Sequence, residues 1–100
     1  MHLILEKDIE NPVCAYARRQ GWLVYKFTSP SRRSVPDRIF MGFGKVFFIE
    51  FKAPGKKPTE KQYLEMDKLL NKGLTVYIVD NVNKGKNLID YETEHAQRTS

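Results

Sequence analysis

Residues 36–52 read PDRIFMGFGKVFFIEFK, and this pattern predicts a β-hairpin. Two short apolar runs, residues 39–41 and 46–49, have the length and composition of strands. Between them, residues 42–45 read Gly-Phe-Gly-Lys and supply the glycines that a tight reversal needs. We expect the other elements of the chain to support this hairpin.

Three charged side chains lie at the open end of the predicted hairpin. Asp37 begins the first strand, and Glu50 and Lys52 end the second. Residues two apart on a strand share a face, so Glu50 and Lys52 project together, and the turn returns Asp37 to the side of Glu50. Two neighbouring carboxylates repel unless a cation lies between them, and hard oxygen ligands suit Mg²⁺ or Mn²⁺. A lysine beside such a metal can orient a water nucleophile, so the pattern predicts hydrolysis of a phosphate ester.

The same residues resemble the signature of PD-(D/E)XK nucleases. Pro36-Asp37 is followed, 13 positions after the aspartate, by Glu50-x-Lys52. The flanking sequences SPSRRSVPDR (29–38) and FIEFKAPGKKP (48–58) resemble the VRR-NUC branch of that superfamily, and the resemblance covers residues 6–80. A bare Glu-x-Lys on one strand face is otherwise often a surface ion pair that contributes little stability.

The resemblance implies a role for each residue at the end of the hairpin. Asp37 and Glu50 are expected to bind Mg²⁺ or Mn²⁺ together with the Phe51 backbone carbonyl. Lys52 is expected to orient the attacking water or to stabilise charge. Gln62 matches a glutamine that borders the active site of similar nucleases, although its position also suits a capping box with Thr59 at the start of a helix.

A helix is predicted over residues 6–20, because apolar residues recur at intervals of four and Gly21 follows as a C-terminal cap. Pro12 lies inside this pattern, and we expect the helix to begin near Glu6 and to bend rather than to start at the proline. The resemblance implies that a glutamate of this helix completes the acidic cluster. Glu10 fits the implied spacing better, and Glu6, one turn earlier, is the alternative.

A polar loop over residues 28–35 leads directly into Asp37 and predicts contact with phosphate groups. Hydroxyl and guanidinium groups next to a metal site are suited to charge-assisted bonds with a nucleic-acid backbone. The other interpretation is a solvated loop without function. The predicted phosphate-binding residues are Ser29, Arg32, Arg33 and Arg38.

The remaining elements complete an α/β fold. A strand over residues 22–27 has two largely apolar faces and is expected to be covered on both sides, a helix begins after Thr59, and another strand covers 74–79. A short helix over 88–97 is expected in a polar C-terminal tail. The order is α-β-β-β-α-β with a mixed sheet flanked by helices, the restriction-endonuclease-like core that the resemblance implies.

Composition limits the possible classes of protein. One hundred residues fit a single domain over 1–100, with a core over about 6–80 and a tail over 81–100. The formal net charge of +5 favours an anionic partner, and no apolar run suits a membrane span or a signal peptide. The single cysteine, Cys14, lies in the helical pattern and is expected to be a core residue, and the absence of a possible internal disulfide fits a reducing cytoplasm. The expected location is the cytoplasm of a bacterial or phage-infected cell.

The resemblance implies a structure-specific DNA endonuclease that works as a homodimer on branched DNA such as four-way (Holliday) junctions. Two alternatives are a non-catalytic nucleic-acid-binding module and a nuclease subunit that is active only within a larger phage or restriction complex. Four aromatic residues are expected to leave apolar surface for the dimer contact: Trp22, Phe43, Phe47 and Phe48.

Overall fold

The computed structural model describes residues 3–31 and 33–99, the last three of these by their backbone alone. Its first six elements have the predicted order α-β-β-β-α-β, and a third helix follows them. The elements are α1 (Glu6–Arg19), β1 (Leu23–Lys26), β2 (Arg38–Gly42), β3 (Lys45–Phe51), α2 (Glu60–Asn71), β4 (Thr75–Val79) and α3 (Val82–Thr99).

The predicted hairpin is confirmed, and its turn is a two-residue loop. Gly42 pairs with Lys45, so Phe43 and Gly44 form the loop. Both residues have positive φ values, 54° and 76°. A two-residue turn with this backbone geometry matches the right-handed twist of the strands that it joins. Phe43 adopts this conformation without being a glycine, and its ring packs edge-on against Trp22 with centroids 5.2 Å apart. This contact offsets part of the cost of the left-handed backbone.

The sheet is mixed, as predicted, with strand order β1-β2-β3-β4. The first three strands pair antiparallel, and β3 pairs with β4 in parallel, because α2 carries the chain back across the sheet. The central strand β3 is buried from Phe47 to Phe51. On one face of the sheet, α1 and α3 form the core with alternate residues of the strands, and Cys14 is part of this core as predicted. Burial raises the pKa of the Cys14 thiol to about 11.

The prediction that β1 is covered on both faces is wrong. Val24 is buried, but Leu23 and Tyr25 on the other face are 49% and 56% exposed. β1 is an edge strand, and α2 packs over β4 at the opposite edge. The apolar face of β1 therefore remains uncovered, together with Val46 of β3, which is 41% exposed.

The aromatic residues expected at a dimer contact are mostly in the core. Trp22, Phe47 and Phe48 are each at most 4% exposed, and only Phe43 has an exposed ring. The hairpin uses them in its own packing, since Phe47 stacks on Phe40 and contacts Trp22 edge-on. The uncovered apolar surface of the sheet is formed instead by Leu23 and Tyr25 of β1 and Val46 of β3.

The C-terminal helix α3 is longer than the predicted segment 88–97 and belongs to the core. Leu88 and Ile89 are buried in the main cluster, so residues 82–99 are not a polar tail. Polar contacts hold the helix as well: the Trp22 indole N–H donates to Thr93 Oγ1 at 2.8 Å, and the Tyr77 hydroxyl donates to Glu92 at 2.5 Å. Over the described residues, none of the three helices combines the length and apolarity needed to cross a membrane.

The approach of α3 to α1 depends on Gly85. Gly85 is buried, and a Cβ atom built on it would lie 2.4 Å from Cγ2 of Val13, which is itself fully buried. Real Cβ atoms do not approach another carbon so closely, so the two helices need the absence of a side chain at this point.

We expect Gly85→Ala to destabilise the protein by about 1–3 kcal/mol, the usual cost of an overpacked core, despite the better helix propensity of alanine. Urea denaturation measures this change. The matched control is Lys84→Ala, a substitution at the exposed position directly before Gly85. Val13→Ala should relieve the clash, so the double variant should lose less than the sum of the two single losses. Strict additivity would contradict the contact.

Candidate active site

Asp37 and Glu50 lie side by side at the end of the hairpin, as predicted. Arg38 pairs with Ile49, and the next pair outward along the same register is Asp37 with Glu50. Asp37 Oδ2 accepts a hydrogen bond of 2.7 Å from the Phe51 backbone N–H. This bond closes the open end of the hairpin and fixes the aspartate against β3.

Glu50 is a buried carboxylate with two side-chain donors on one oxygen. It is 2% exposed, and its Oε2 atom lies 3.3 Å from Lys52 Nζ and 2.9 Å from Gln62 Nε2. Lys52 therefore shares a strand face with Glu50, as predicted. Oε1 of Glu50 and Oδ1 of Asp37 make no hydrogen bond to the described residues. Each carboxylate thus keeps one oxygen available for a further ligand.

Gln62 both caps α2 and contacts Glu50. Its side-chain oxygen accepts a hydrogen bond from the Thr59 backbone N–H at 2.8 Å, and Thr59 Oγ1 accepts one from the Gln62 N–H at 3.2 Å. This is a capping box at the start of α2. The same amide donates its N–H to Glu50. Since capping uses the oxygen and the site uses the nitrogen, the two roles do not compete.

The pKa values of both carboxyl groups are raised. Burial and the nearby charge of Asp37 together raise the pKa of Glu50 from 4.5 to about 7, against the lowering effect of Lys52. Burial also raises the pKa of Asp37, against the lowering effect of its hydrogen bond from the Phe51 N–H. The pair therefore binds a proton more readily than two exposed carboxylates would, and a cation between them would relieve the same repulsion.

On α1, the two candidate glutamates have different surroundings. Glu10 Oε2 lies 2.6 Å from Arg38 Nε, so the predicted metal ligand Glu10 and the predicted phosphate-binding Arg38 pair with each other. Glu6 is half-buried, and burial and the charge of Asp37 raise its pKa. Over the described residues, no three side chains among His, Cys, Asp and Glu are placed to hold one metal ion. The carboxylate pair Asp37 and Glu50 is the donor set that the structure offers.

A cleft of about 500 Å³ opens beside Asp37 between α1, the end of β1 and the loop before β2. Ser29 and Arg33, two of the predicted phosphate-binding residues, line it, whereas Arg32 lies outside the described residues. Lys7 and Lys26 also line it, and sequence reasoning did not select them, because neither belongs to a motif. The lining residues are Glu6, Lys7, Glu10, Lys26, Phe27, Thr28, Ser29, Arg33, Val35 and Asp37.

Comparison with known proteins finds a relative in sequence and a solved structure with a similar fold. "Putative nuclease p44" of Acyrthosiphon pisum secondary endosymbiont phage 1 is 44% identical over 82 residues, which cover 81% of this chain and 88% of the phage protein. A solved structure described as "VRR_NUC domain" superposes with a TM-score of 0.78 and 24% sequence identity, over 85% of this chain and 94% of that one. No family model matches the chain.

We expect Glu50→Gln to stabilise the metal-free protein at neutral pH. The pKa of Glu50 is higher in the folded state than in the unfolded chain, so the folded state binds the proton more tightly and stability falls as pH rises from about 4.5 to 7. The shift corresponds to a loss of roughly 3 kcal/mol, which the glutamine variant avoids. Thermal unfolding in EDTA between pH 4 and 8 measures it. Parallel pH profiles for the two proteins would contradict the raised pKa.

The substitution Gln62→Glu should separate the two roles of Gln62. A glutamate can still accept from the Thr59 N–H, so the cap should survive, but its second oxygen would face Glu50 Oε2 and raise the pKa of Glu50 further. Gln62→Ala should instead lose the cap, at a cost of about 1 kcal/mol. A carbon-detected NMR titration of the glutamate carboxyl groups reports the pKa. An unchanged Glu50 titration in Gln62→Glu would show that the amide does not act on the site.

Proposed function

Since this chain belongs to the family of the phage protein p44 and has the fold of the VRR_NUC domain, we propose that it is a nuclease, and specifically a metal-dependent endonuclease that hydrolyses DNA phosphodiester bonds. One observation carries this proposal: the buried Glu50 lies beside Asp37, with Lys52 Nζ 3.3 Å from its Oε2 atom, and Asp37 borders an open cleft that lysine and arginine side chains help to line. Buried paired carboxylates are costly to a protein that does not use them.

The donor set of the site fits a hard divalent cation. Asp37 and Glu50 each keep one unbonded oxygen, and we propose that they hold Mg²⁺ or Mn²⁺ together with the Phe51 carbonyl. When bound, the ion would supply positive charge at the phosphate and acidity to a water ligand. Lys52 is then placed to orient the attacking water, while Gln62 and the Phe51 N–H hold the two carboxylates in position.

For the acid contributed by α1, the contacts favour Glu6 over the predicted Glu10. The Glu10 carboxylate forms an ion pair with Arg38, whereas Glu6 has no ion-pair partner among the described residues. Besides burial, the charge of Asp37 raises the pKa of Glu6 and that of Lys52 lowers it. We propose that Glu6 faces the metal and that the Glu10–Arg38 pair fixes α1 against β2. Ser29, Arg33 and Arg32 remain the proposed phosphate contacts of the loop.

The proposed substrate is branched DNA, such as a four-way junction, and the proposed assembly is a homodimer in the cytoplasm of a bacterial or phage-infected cell. The phage relative supports this setting. The uncovered apolar residues Leu23, Tyr25 and Val46 offer a surface for a second copy, and two copies would bring two sites to two strands. Light scattering tests the dimer, for which the mass should be twice 11.7 kDa.

A second candidate is a subunit that cuts only within a larger phage complex, and the phage origin of p44 is the observation that favours it. The isolated protein would then bind DNA without cutting it. A module that only binds nucleic acid would behave in the same way, but it would have no use for the charged cluster of Asp37, Glu50 and Lys52.

We expect Lys52→Ala to lower the single-turnover cleavage rate by roughly 100-fold or more, the usual effect of removing a preorganised charge or proton-transfer group. The assay compares a four-way junction with a linear duplex of the same sequence, with Mg²⁺ and enzyme in excess. Asp37→Asn should abolish cleavage, and both variants should still bind DNA in Ca²⁺.

The matched control for this assay is Lys56→Ala, an exposed lysine that lies outside the cleft. It should cut within a few-fold of the unaltered protein. A Lys52→Ala protein that cuts equally well would contradict the catalytic role. Equal cleavage of the junction and the duplex would contradict only the preference for branched DNA.

A further inference from the structure

Lys7 and Lys26 line the cleft beside Asp37, and neither has a role in the site described above. Lys7 lies in the first turn of α1, and Lys26 is the last residue of β1. Both are exposed. Three carboxylates line the same cleft, yet neither ammonium group forms an ion pair with any of the described residues. The two lysines are therefore free to bind an anion that enters the cleft.

Lys26 occupies a position that is unfavourable in the free protein. It is directly opposite Arg38 in the antiparallel pairing of β1 and β2, so two positive side chains share one face of the sheet. Like charges in this arrangement repel. Glu10 forms an ion pair with Arg38 at 2.6 Å, but no described carboxylate forms one with Lys26.

Lys7 is also poorly placed for stability. The N-terminal turn of a helix carries a partial positive charge, which favours acidic side chains and disfavours lysine. Glu6 and Asp8 on either side follow this preference, and Lys7 does not. Two cations that each oppose the local electrostatics thus meet at one cleft. A bound anion would remove both conflicts at once.

We propose that Lys7 and Lys26, together with Arg33 and the Ser29 hydroxyl, form a subsite for a backbone phosphate of the nucleic acid next to the phosphate that is cut. This inference rests on the proposed nuclease function. In this proposal Glu6 and Asp37 serve the metal, and the basic and hydroxyl groups hold the neighbouring phosphate. The subsite fixes the strand along the cleft, and it recognises the backbone rather than the bases.

The test measures DNA affinity as a function of salt concentration, by fluorescence anisotropy of a labelled four-way junction in Ca²⁺. Lys7→Ala and Lys26→Ala should each weaken binding by about 3- to 10-fold and lower the slope of log affinity against log salt by about 1. Thermal stability should be unchanged or higher, because each substitution removes an unfavourable charge. Lys26→Arg should restore the slope.

The matched controls are Lys72→Ala and Lys84→Ala, which remove the same charge from exposed positions outside the cleft. They should leave affinity and slope close to those of the unaltered protein. If the unaltered protein binds and cuts DNA while all four variants behave alike, the subsite is wrong and the nuclease function stands. If the unaltered protein binds no DNA, the proposed function and the subsite both fail.

Discussion

The burial of the Glu50 carboxylate is the constraint on which the rest of the site depends. An ionised carboxylate that leaves water loses several kcal/mol of hydration, and this one also lies beside Asp37. The contacts of Lys52 and Gln62 with Oε2 offset part of this lost hydration energy. The pKa of about 7 indicates that the carboxylate is still less stable here than in water. The remaining imbalance is the physical basis of the cation binding that we propose.

Gln62 joins the formation of a helix to the assembly of the site. One end of its amide closes the capping box with Thr59, and the other end donates to Glu50. α2 therefore begins in a fixed register relative to β3, and β4 follows in parallel on the far side of β3. A capping box ordinarily marks only where a helix begins. Here its glutamine also aligns the helix with a carboxylate 12 positions earlier in the chain.

The helices α1 and α3 fix the other wall of the cleft. Gly85 lets α3 lie directly on Val13 of α1, and the Glu10–Arg38 ion pair then ties α1 to the residue that follows Asp37. A shift of α1 would thus move Glu6 and Lys7 relative to the carboxylate pair. The close packing at Gly85 has consequences for the site, although it is far from it in sequence.

The hairpin, the mixed sheet and the pairing of Asp37 with Glu50 and Lys52 follow from the sequence alone, because alternation and a two-residue turn fix a strand register locally. The helix α3, the exposed face of β1 and the partner of Glu10 do not. α3 is held by contacts such as Trp22 to Thr93, 71 positions apart, which no local pattern contains. A side chain on a helix reaches several neighbours, so only the packing of α1 on the sheet decided that Glu10 meets Arg38 and that Lys26 is left without a partner.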